Sequence, residues 1–469
     1  MSRHREPDTI PRQSPGARRA TSRRAPAQQG VRAVAAWTLE RVLASQAPAD
    51  GFLAAAAAQF DERDRALLHE LVLGSLRWLR RLDHVITAAS HRAFGAIEPE
   101  LRSPLRVAAY QLLFLDRVPA HAVVDEAVER ALQVTHRGGA SFVNAVLRRI
   151  ARSPRLADWP VDEPDAARRL AIESSHPDFL VERWLERFGR LQTLALLRAN
   201  NQPKPLHLLA FRDRGGRELL AEALIDEGLE VEPSALSPLG LVVRAGNPLS
   251  TDAFRRGDFY VADEGGQATV LLPPPRPEER VLDVAAAPGG KAFALLASQP
   301  DLRLTLADRS LARLGRLRDN AIRLRRRLPL AVADAACSAF AGGFDRVVVD
   351  LPCSGTGTLR KHPELKWRIS EEEIGRLAEQ ALQMLAGAAT QVRARGLLVA
   401  ITCSLEREEN EAVTERLRGL RPEFVPLPLG GRLPAALEPW IAGDGCWRLP
   451  TGGDHDGFTV QVLTRGADP

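Results

Sequence analysis

From about residue 261 onward, short runs of β-branched and aliphatic residues alternate with segments of helical spacing. The runs are Val281–Ala285, Leu304–Ala307, Leu330–Ala333, Val347–Val349, Leu397–Thr402 and Thr459–Leu463. Few folds accommodate this alternation. Strands that are apolar on both faces must be covered on both, and intervening helices cover them as crossovers. The pattern predicts a parallel-type sheet with helices on both faces. Sheets of this kind bind ligands beyond the C-terminal ends of their strands, so the residues that follow each run carry the candidate chemistry.

The chain is too long for one ordinary domain, at 469 residues. Residues from about 31 to 155 have a different period. Leu105, Ala108, Ala109, Leu112 and Leu113 recur at helical spacing, as do Val124, Ala127, Val128, Ala131 and Leu132, and then Val143, Val146, Leu147 and Ile150. Each set makes one apolar face, which predicts a helical bundle. Pro104 suits a helix start and Pro119 a break between helices. A Pro-containing stretch from Ser153 to Pro164 reads as a linker. Beyond it, Phe179–Arg190 and Glu218–Glu227 are helix-like, and Leu206–Leu209 and Leu241–Val243 are strand-like. The segment 156–260 is therefore expected to hold a linker and a small α/β subdomain.

Charge is spread unevenly. Residues 1–30 carry seven arginines against Glu6 and Asp8, leaving +5, the formal net charge of the whole chain. This tail has almost nothing to bury and is expected to be disordered. It is either a solubilising extension or an arm that grips nucleic-acid phosphates. Arg77, Arg80 and Arg81 form one further cluster, and Arg148, Arg149, Arg152 and Arg155 another. A solvated helix face is the ordinary reading of either, while two clusters on one small domain suit RNA phosphates. No run approaches the length of a membrane span, and the N-terminus lacks a secretory h-region. Four cysteines without Cys-x-x-Cys spacing suggest neither a disulfide framework nor zinc. Free thiols in a cytoplasmic setting are the simplest expectation.

The first strand runs into Ala285-Ala286-Ala287-Pro288-Gly289-Gly290-Lys291, ahead of a helix. Glycines there let backbone approach a ligand, and a helix start offers free N–H groups to an anion. The spacing is neither G-x-G-x-x-G nor a Walker loop. Asp308 ends the second strand, where a carboxylate can accept from ribose hydroxyls. Asp334 follows the third, where it can accept from an adenine amine, and Asp350 ends the fourth. Any one of these is ordinarily a turn or capping residue. As an ordered set they suit S-adenosylmethionine, an adenosine with a charged amino-acid tail.

Two cysteines also follow strands: Cys353 in Asp350-Leu351-Pro352-Cys353-Ser354-Gly355-Thr356-Gly357, and Cys403 in Thr402-Cys403-Ser404. C5 of cytosine is a weak nucleophile. A thiolate adding to C6 makes C5 enamine-like, a group at N3 assists, and a base must then remove the C5 proton. Cys403, Cys353, Asp350 and the loop ending at Lys291 supply that set. Asp350 must be protonated to donate to N3, or else it binds the ring amine. Lys291 is placed to lower a thiol pKa or to fix a substrate group. Cys337 and Cys446 stand in no such setting and read as inert core fillers.

These stretches, continued by Arg360-Lys361-His362-Pro363-Glu364-Leu365-Lys366-Trp367 and Glu409-Asn410-Glu411, closely resemble the Fmu/Sun/RsmB family of ribosomal RNA 5-methylcytosine methyltransferases. Tyr110-Gln111-Leu112-Leu113, Val118–Glu126 and Phe142–Arg148 are similar to the NusB-like RNA-binding domain of its bacterial branch. The resemblance implies a multidomain α + α/β chain. A basic tail (1–30) precedes an all-helical NusB-like domain (31–155), a linker and small RNA-recognition-like α/β subdomain (156–260), and a Rossmann-like S-adenosylmethionine-dependent methyltransferase domain (261–469). It implies that Cys403 is the nucleophile and that Cys353 helps release product. Cofactor contacts are implied for Ala285, Ala286, Ala287, Pro288, Gly289, Gly290, Lys291, Asp308, Asp334 and Asp350, with no metal. The implied substrate is one cytosine of 16S ribosomal RNA.

Four positions depart from the family pattern. Leu351 stands where Ala is common and Ala285 where a Cys is common, both apolar exchanges. Leu209 and Phe211 replace an Arg and an Asn, which removes an RNA contact or a subdomain brace and bears on the target nucleotide more than on the chemistry. The rival readings are the same reaction on another RNA such as transfer RNA, and a catalytically silent NusB-like RNA-binding or assembly factor. A dinucleotide oxidoreductase is disfavoured by the absent G-x-G-x-x-G.

Overall fold

The computed structural model describes residues 30–337 and 340–467, so residues 1–29 of the expected basic tail lie outside the described residues. The chain divides into two compact units, one holding the residues up to Leu197 plus His362–Arg368, the other Arg198–Lys361 and the chain from Ile369 onward.

The first unit is helical. Its elements are α1 (Val31–Leu43), α2 (Ala49–Ala57), α3 (Glu62–Arg77), α4 (Leu79–Ser90), α5 (Pro99–Phe114), α6 (Ala120–Val134), α7 (Arg137–Arg152), α8 (Ala166–Ser174) and α9 (Asp178–Asn200), the last running on into the second unit. One core takes the apolar faces read from the sequence: Leu105, Ala108, Val124, Ala131, Val143, Val146, Leu147 and Ile150 are all buried in it. Leu132 is not, and stays 51% exposed. Gly189, at φ 70°, ψ 172°, interrupts α9 at the residue before the expected end of that helix. Pro104 does not start a helix. Pro99 holds the first position of α5, and Pro104 lies inside it. The carbonyl that Pro104 cannot bond belongs to Glu100, which is exposed to water. The chain returns to this unit at His362–Arg368. There the buried Lys366 ammonium donates to the carbonyls of Arg77 and Ser175, each at 3.2 Å, and the Trp367 indole to that of Leu76 at 2.8 Å.

The second unit contains two sheets. In the smaller, β1 (Leu206–Ala210), α10 (Gly216–Asp226), β2 (Glu230–Pro233), β3 (Gly240–Ala245), α11 (Asp252–Arg256) and β4 (Phe259–Val261) form an antiparallel sheet of order β2-β3-β1-β4. The short β2 and β4 were not legible in the sequence. Leu209 and Phe211 are buried here. The guanidinium groups of Arg214 and Arg326 lie over the Phe211 ring at 5.5 and 5.0 Å, and Arg326 makes a two-pronged ion pair with Asp213 at 2.7 Å. A brace thus exists at this site, built from other residues than the family's Arg and Asn.

The larger sheet follows α12 (Glu264–Ala268). Its elements are β5 (Arg280–Asp283), α13 (Gly290–Ser298), β6 (Arg303–Asp308), α14 (Leu311–Arg323), β7 (Leu330–Val332), β8 (Phe344–Asp350), α15 (Glu371–Ala389), β9 (Val392–Thr402), α16 (Glu411–Leu420), β10 (Phe424–Pro426), β11 (Trp447–Leu449) and β12 (Phe458–Arg465). The order is β10-β12-β9-β8-β5-β6-β7, with β11 on β12. Strands β5 to β9 are parallel, as expected. β12 runs antiparallel to β9, and β10 and β11 pair antiparallel with β12, so the sheet is mixed. Alternate residues serve opposite faces, the period-2 consequence of the pleat. Val281, Val348, Leu397, Val399 and Ile401 join one core with α13, while Leu282, Val347, Val349, Leu398 and Ala400 join another with α15. Truncating a side chain such as Leu398 to Ala would cost about 2–5 kcal/mol. Among the described residues, no helix is long and apolar enough to cross a membrane.

Candidate active site

From β5 the chain builds outward one way through β6 and β7, and later the other way through β8 and β9. The crevice at such a reversal lies beyond the carboxyl ends of β5 and β8, where open α/β sheets take ligands. Asp283, Asp308 and Asp350 end β5, β6 and β8, and Cys403 directly follows β9.

The loop Ala285–Gly290 joins β5 to α13. Its backbone is pinned from several sides: Ala286 N donates to Ala307 O at 2.9 Å, Arg313 donates to the Ala287 carbonyl and Asn320 to that of Pro288. Gly289 has φ 116°, and a Cβ there would come within 2.3 Å of the Phe293 ring. Only glycine fits. Asp308 is buried. One of its oxygens accepts from Ser310 N at 2.9 Å, while the other has no hydrogen-bond partner. That oxygen faces the Arg313 guanidinium at 3.7 Å, too far for a hydrogen bond, and is suited to accept one from a ligand hydroxyl. Asp334 lies past β7 and lines a narrow cavity with Val284, Ala333, Phe340, Ala388 and Gln391. Cys337 lines the same cavity and is exposed, so it is not the core filler expected. Cys446 is buried, and burial pushes its thiol up to about 12.

Cys353 and Cys403 come together, with their sulfurs 3.5 Å apart. Parallel pairing of β8 with β9 brings their loops side by side. Backbone then locks the two: Gly357 N donates to Cys403 O at 2.9 Å, and Gly457 N donates to Gly357 O at 2.7 Å. A Cβ on Gly357 would strike Gly457 O at 2.3 Å. The hydrogen bond with Cys403, together with burial, holds the Cys353 thiol well above its ordinary pKa. Lys291, at the start of α13, ion-pairs with Asp350 at 2.7 Å. Burial pulls its ammonium down, but Asp350, Cys403 and Asp283 outweigh that and hold it above its ordinary value. Lys291 therefore remains a cation with Cys403 and Asp350 in its field.

Cys353, Cys403, Asp350 and Lys291 lie together, Lys291 in the first turn of α13; Ala285–Gly290, Asp308, Asp334 and Asp350 lie at the ends of β5, β6, β7 and β8. Three further residues were missed. Asp283 is buried, and burial raises it to about 7. One oxygen accepts from Ala285 N at 3.1 Å and the other is unpaired. Glu409 and Asn410 are buried beside the cysteine loops. Their position just after Thr402-Cys403-Ser404 was the available signal. In the helical unit, Arg80 and Arg81 are turned inward. Arg81 donates to the carbonyls of Leu156 and Trp159, and Arg80 pairs with Asp178. That cluster is a brace rather than a phosphate-binding face. Arg148, Arg149, Arg152 and Arg155 are exposed. Among the described residues, no cluster of side chains could hold a metal ion.

A mixed sheet of this order, with its strand-end loops gathered at the reversal point, is the fold of a class of ligand-binding α/β domains, and its family match identifies it as a methyltransferase domain. Residues 269–427 match the family model described as 16S rRNA methyltransferase RsmB/F, residues 29–152 the NusB family, and residues 176–250 the ferredoxin-like domain of RsmF/B-like methyltransferases. The chain is 31% identical to the probable ribosomal RNA small subunit methyltransferase B of Bacillus subtilis, over 87% of this chain and 92% of that one. It is also 31% identical to ribosomal RNA small subunit methyltransferase B of Pseudomonas putida, over 92% and 98%. The crystal structure of PH0851 superimposes with a TM-score of 0.76 at 24% identity, covering 92% of this chain and 98% of that one, and shares the fold. The chain belongs to the RsmB/F methyltransferase family.

Proposed function

We propose that this protein methylates C5 of a cytosine in 16S ribosomal RNA, in the cytoplasm, through a covalent bond from Cys403 to C6. The observation that carries the reading is the pair of sulfurs 3.5 Å apart beside the Lys291–Asp350 ion pair. Its curated relatives are named as small-subunit ribosomal RNA methyltransferases.

S-adenosylmethionine, when bound, supplies the methyl group. The loop Ala285–Lys291, the Asp308 oxygen that lacks a hydrogen bond and the Asp334 cavity would hold it. Cys403, within the field of Lys291, is the attacking sulfur, while the hydrogen bond with Cys403 and burial hold the Cys353 thiol up. The Cys403 thiolate adds to C6, and Asp350 engages N3 or the ring amine. Once Cys403 is bonded to carbon, the hydrogen bond that most raises Cys353 is gone. Cys353 can then release its proton to solvent and, as thiolate, take the C5 proton. The S–C6 bond breaks as the ring double bond reforms, which returns Cys403 to thiolate.

The test is transfer of labelled methyl from S-adenosylmethionine to unmodified 16S ribosomal RNA, with nucleoside analysis. Label in 5-methylcytosine at one position is expected. Cys403→Ser should abolish transfer while S-adenosylhomocysteine still binds, and Cys353→Ser should accumulate a protein–RNA adduct. Label appearing only in transfer RNA would replace the substrate. RNA binding without any transfer would favour the silent binding factor.

A further inference from the structure

Two neighbouring side chains reach apart to hold the two cysteine loops. Glu409 is fully buried; its carboxylate accepts from Ser354 N and from Ser354 Oγ, both at 2.7 Å, and the Ser404 hydroxyl gives its charge further support. Ser354 directly follows Cys353. Asn410 faces the other loop. Its Oδ1 accepts from Thr402 Oγ1 at 2.6 Å, and its Nδ2 donates to Ser404 O at 3.1 Å and Glu406 O at 2.7 Å. Thr402 and Ser404 are the two neighbours of Cys403. Asn410 stands at the N-cap of α16, yet its side chain makes no capping bond there. The ordinary role of an asparagine at this place is thus not the one it performs. Its backbone, at φ −121°, ψ −96°, is the non-helical joint between the turn Arg407–Glu409 and α16.

We propose that Glu409 and Asn410 are a divided clamp, with Glu409 positioning Cys353 and Asn410 positioning Cys403, so that the single peptide between them sets the spacing of the sulfurs. Both are positioning residues, since neither is argued to touch substrate. Strands β8 and β9 pair parallel, and adjacent strands lie about 4.8 Å apart. Strand pairing and the backbone bond from Gly357 N to Cys403 O bring the loops together but leave the direction of each sulfur to side-chain contacts. The clamp sets that direction through five hydrogen bonds, all from buried groups. Ser404 Oγ, 3.5 Å from Ser354 Oγ and 3.3 Å from Thr356 Oγ1, closes the space between the loops. Because the short hydrogen bonds of Glu409 go to the Cys353 loop and those of Asn410 to the Cys403 loop, the two bear chiefly on different steps: Asn410 on the attack on C6, Glu409 on the release.

This inference rests on the covalent reading above, and the experiment separates the two. Full-length protein is incubated with unmodified 16S ribosomal RNA and S-adenosylmethionine. Three quantities are measured: 5-methylcytosine formed, protein–RNA adduct surviving a denaturing gel, and S-adenosylhomocysteine affinity. Glu409→Ala is expected to behave as Cys353→Ser does, with methylation at least about tenfold lower and adduct accumulating. Asn410→Ala is expected to behave as Cys403→Ser does, with methylation and adduct falling together. Cofactor affinity stays within about twofold in both, because the clamp's hydrogen bonds go to the two cysteine loops and not to Ala285–Gly290. Where an alanine variant loses cofactor binding through misfolding, Ser354→Ala and Thr402→Val remove single partners and should give the same split, more weakly. Glu409→Gln, which keeps an acceptor for Ser354 N, should recover much of the release step. Adducts that move in the same direction in both halves, or in neither, overturn the clamp. Absence of 5-methylcytosine from the wild type and of adduct from Cys353→Ser overturns the covalent chemistry itself, and the clamp with it.

Discussion

Lys291 keeps a positive charge where burial alone would remove it, because Asp350 and Cys403 lie in its field. Replacing it by Met should lower kcat about 100-fold at saturating cofactor, the usual scale for one electrostatic contact to a reacting group. Single-turnover methylation checks this, and a loss confined to KM for the cofactor would contradict it. Burial also raises Glu409 to about 7 from an ordinary 4.5. The folded protein then holds a proton that the unfolded chain releases. This contribution is fully present below about 4.5 and is lost as pH rises through about 7. Urea midpoints of the wild type should therefore fall across that window relative to Glu409→Gln, and parallel curves would show that Glu409 does not titrate there. Cys353, Cys403, Lys291 and Asp350 were legible in the sequence because each sits at a strand end in a distinctive stretch. Glu409 and Asn410 were quoted there only as part of a resemblance. Their role depends on which two loops face each other, and no local spacing states that. Leu209 and Phe211 teach the converse: the missing Arg and Asn were legible, but the replacement brace was not, since Arg326 and Asp213 are far apart in sequence.

At the scale of elements, the turn from β5 into α13 is the most constrained. Gly289→Ala forces a side chain into a left-handed backbone and against the Phe293 ring. A cost of about 1–3 kcal/mol is expected, with S-adenosylhomocysteine binding weakened in the same variant. Calorimetric titration and a melting curve check both. Unchanged binding would mean that the loop does not contact the cofactor. The parallel strands were legible because burial on both faces leaves continuous apolar runs. The antiparallel direction of β12 was not, because a buried run of residues looks alike in either direction. Pro104 was misplaced for a related reason: a proline marks a helix start only where no earlier residue can serve, and Pro99 serves.

At the scale of the whole molecule, charge is the property that reaches beyond the crevice. Residues 1–30 account for the chain's net +5, and α7 presents Arg148, Arg149 and Arg152 to solvent. If the tail touches RNA, deleting residues 1–29 should weaken binding and flatten its dependence on salt, by about 0.7 in log–log slope for each phosphate no longer neutralised. Replacing Arg148, Arg149 and Arg152 by Ala in the intact chain measures the share of the helical unit. A slope unchanged in both would assign RNA affinity to the methyltransferase-bearing unit.

The return of His362–Arg368 to the helical unit has a consequence for how the protein is made. Lys366 and Trp367 complete hydrogen bonds to Leu76, Arg77 and Ser175, so the helical unit lacks part of its interior until the chain has been synthesised past Arg368. At about 5–20 residues per second, the emerging N-terminal helices wait roughly ten seconds or more for that piece. A nascent chain arrested before residue 362 should be more sensitive to protease than one arrested well beyond Arg368, even though every helix up to Leu197 has long since left the ribosome.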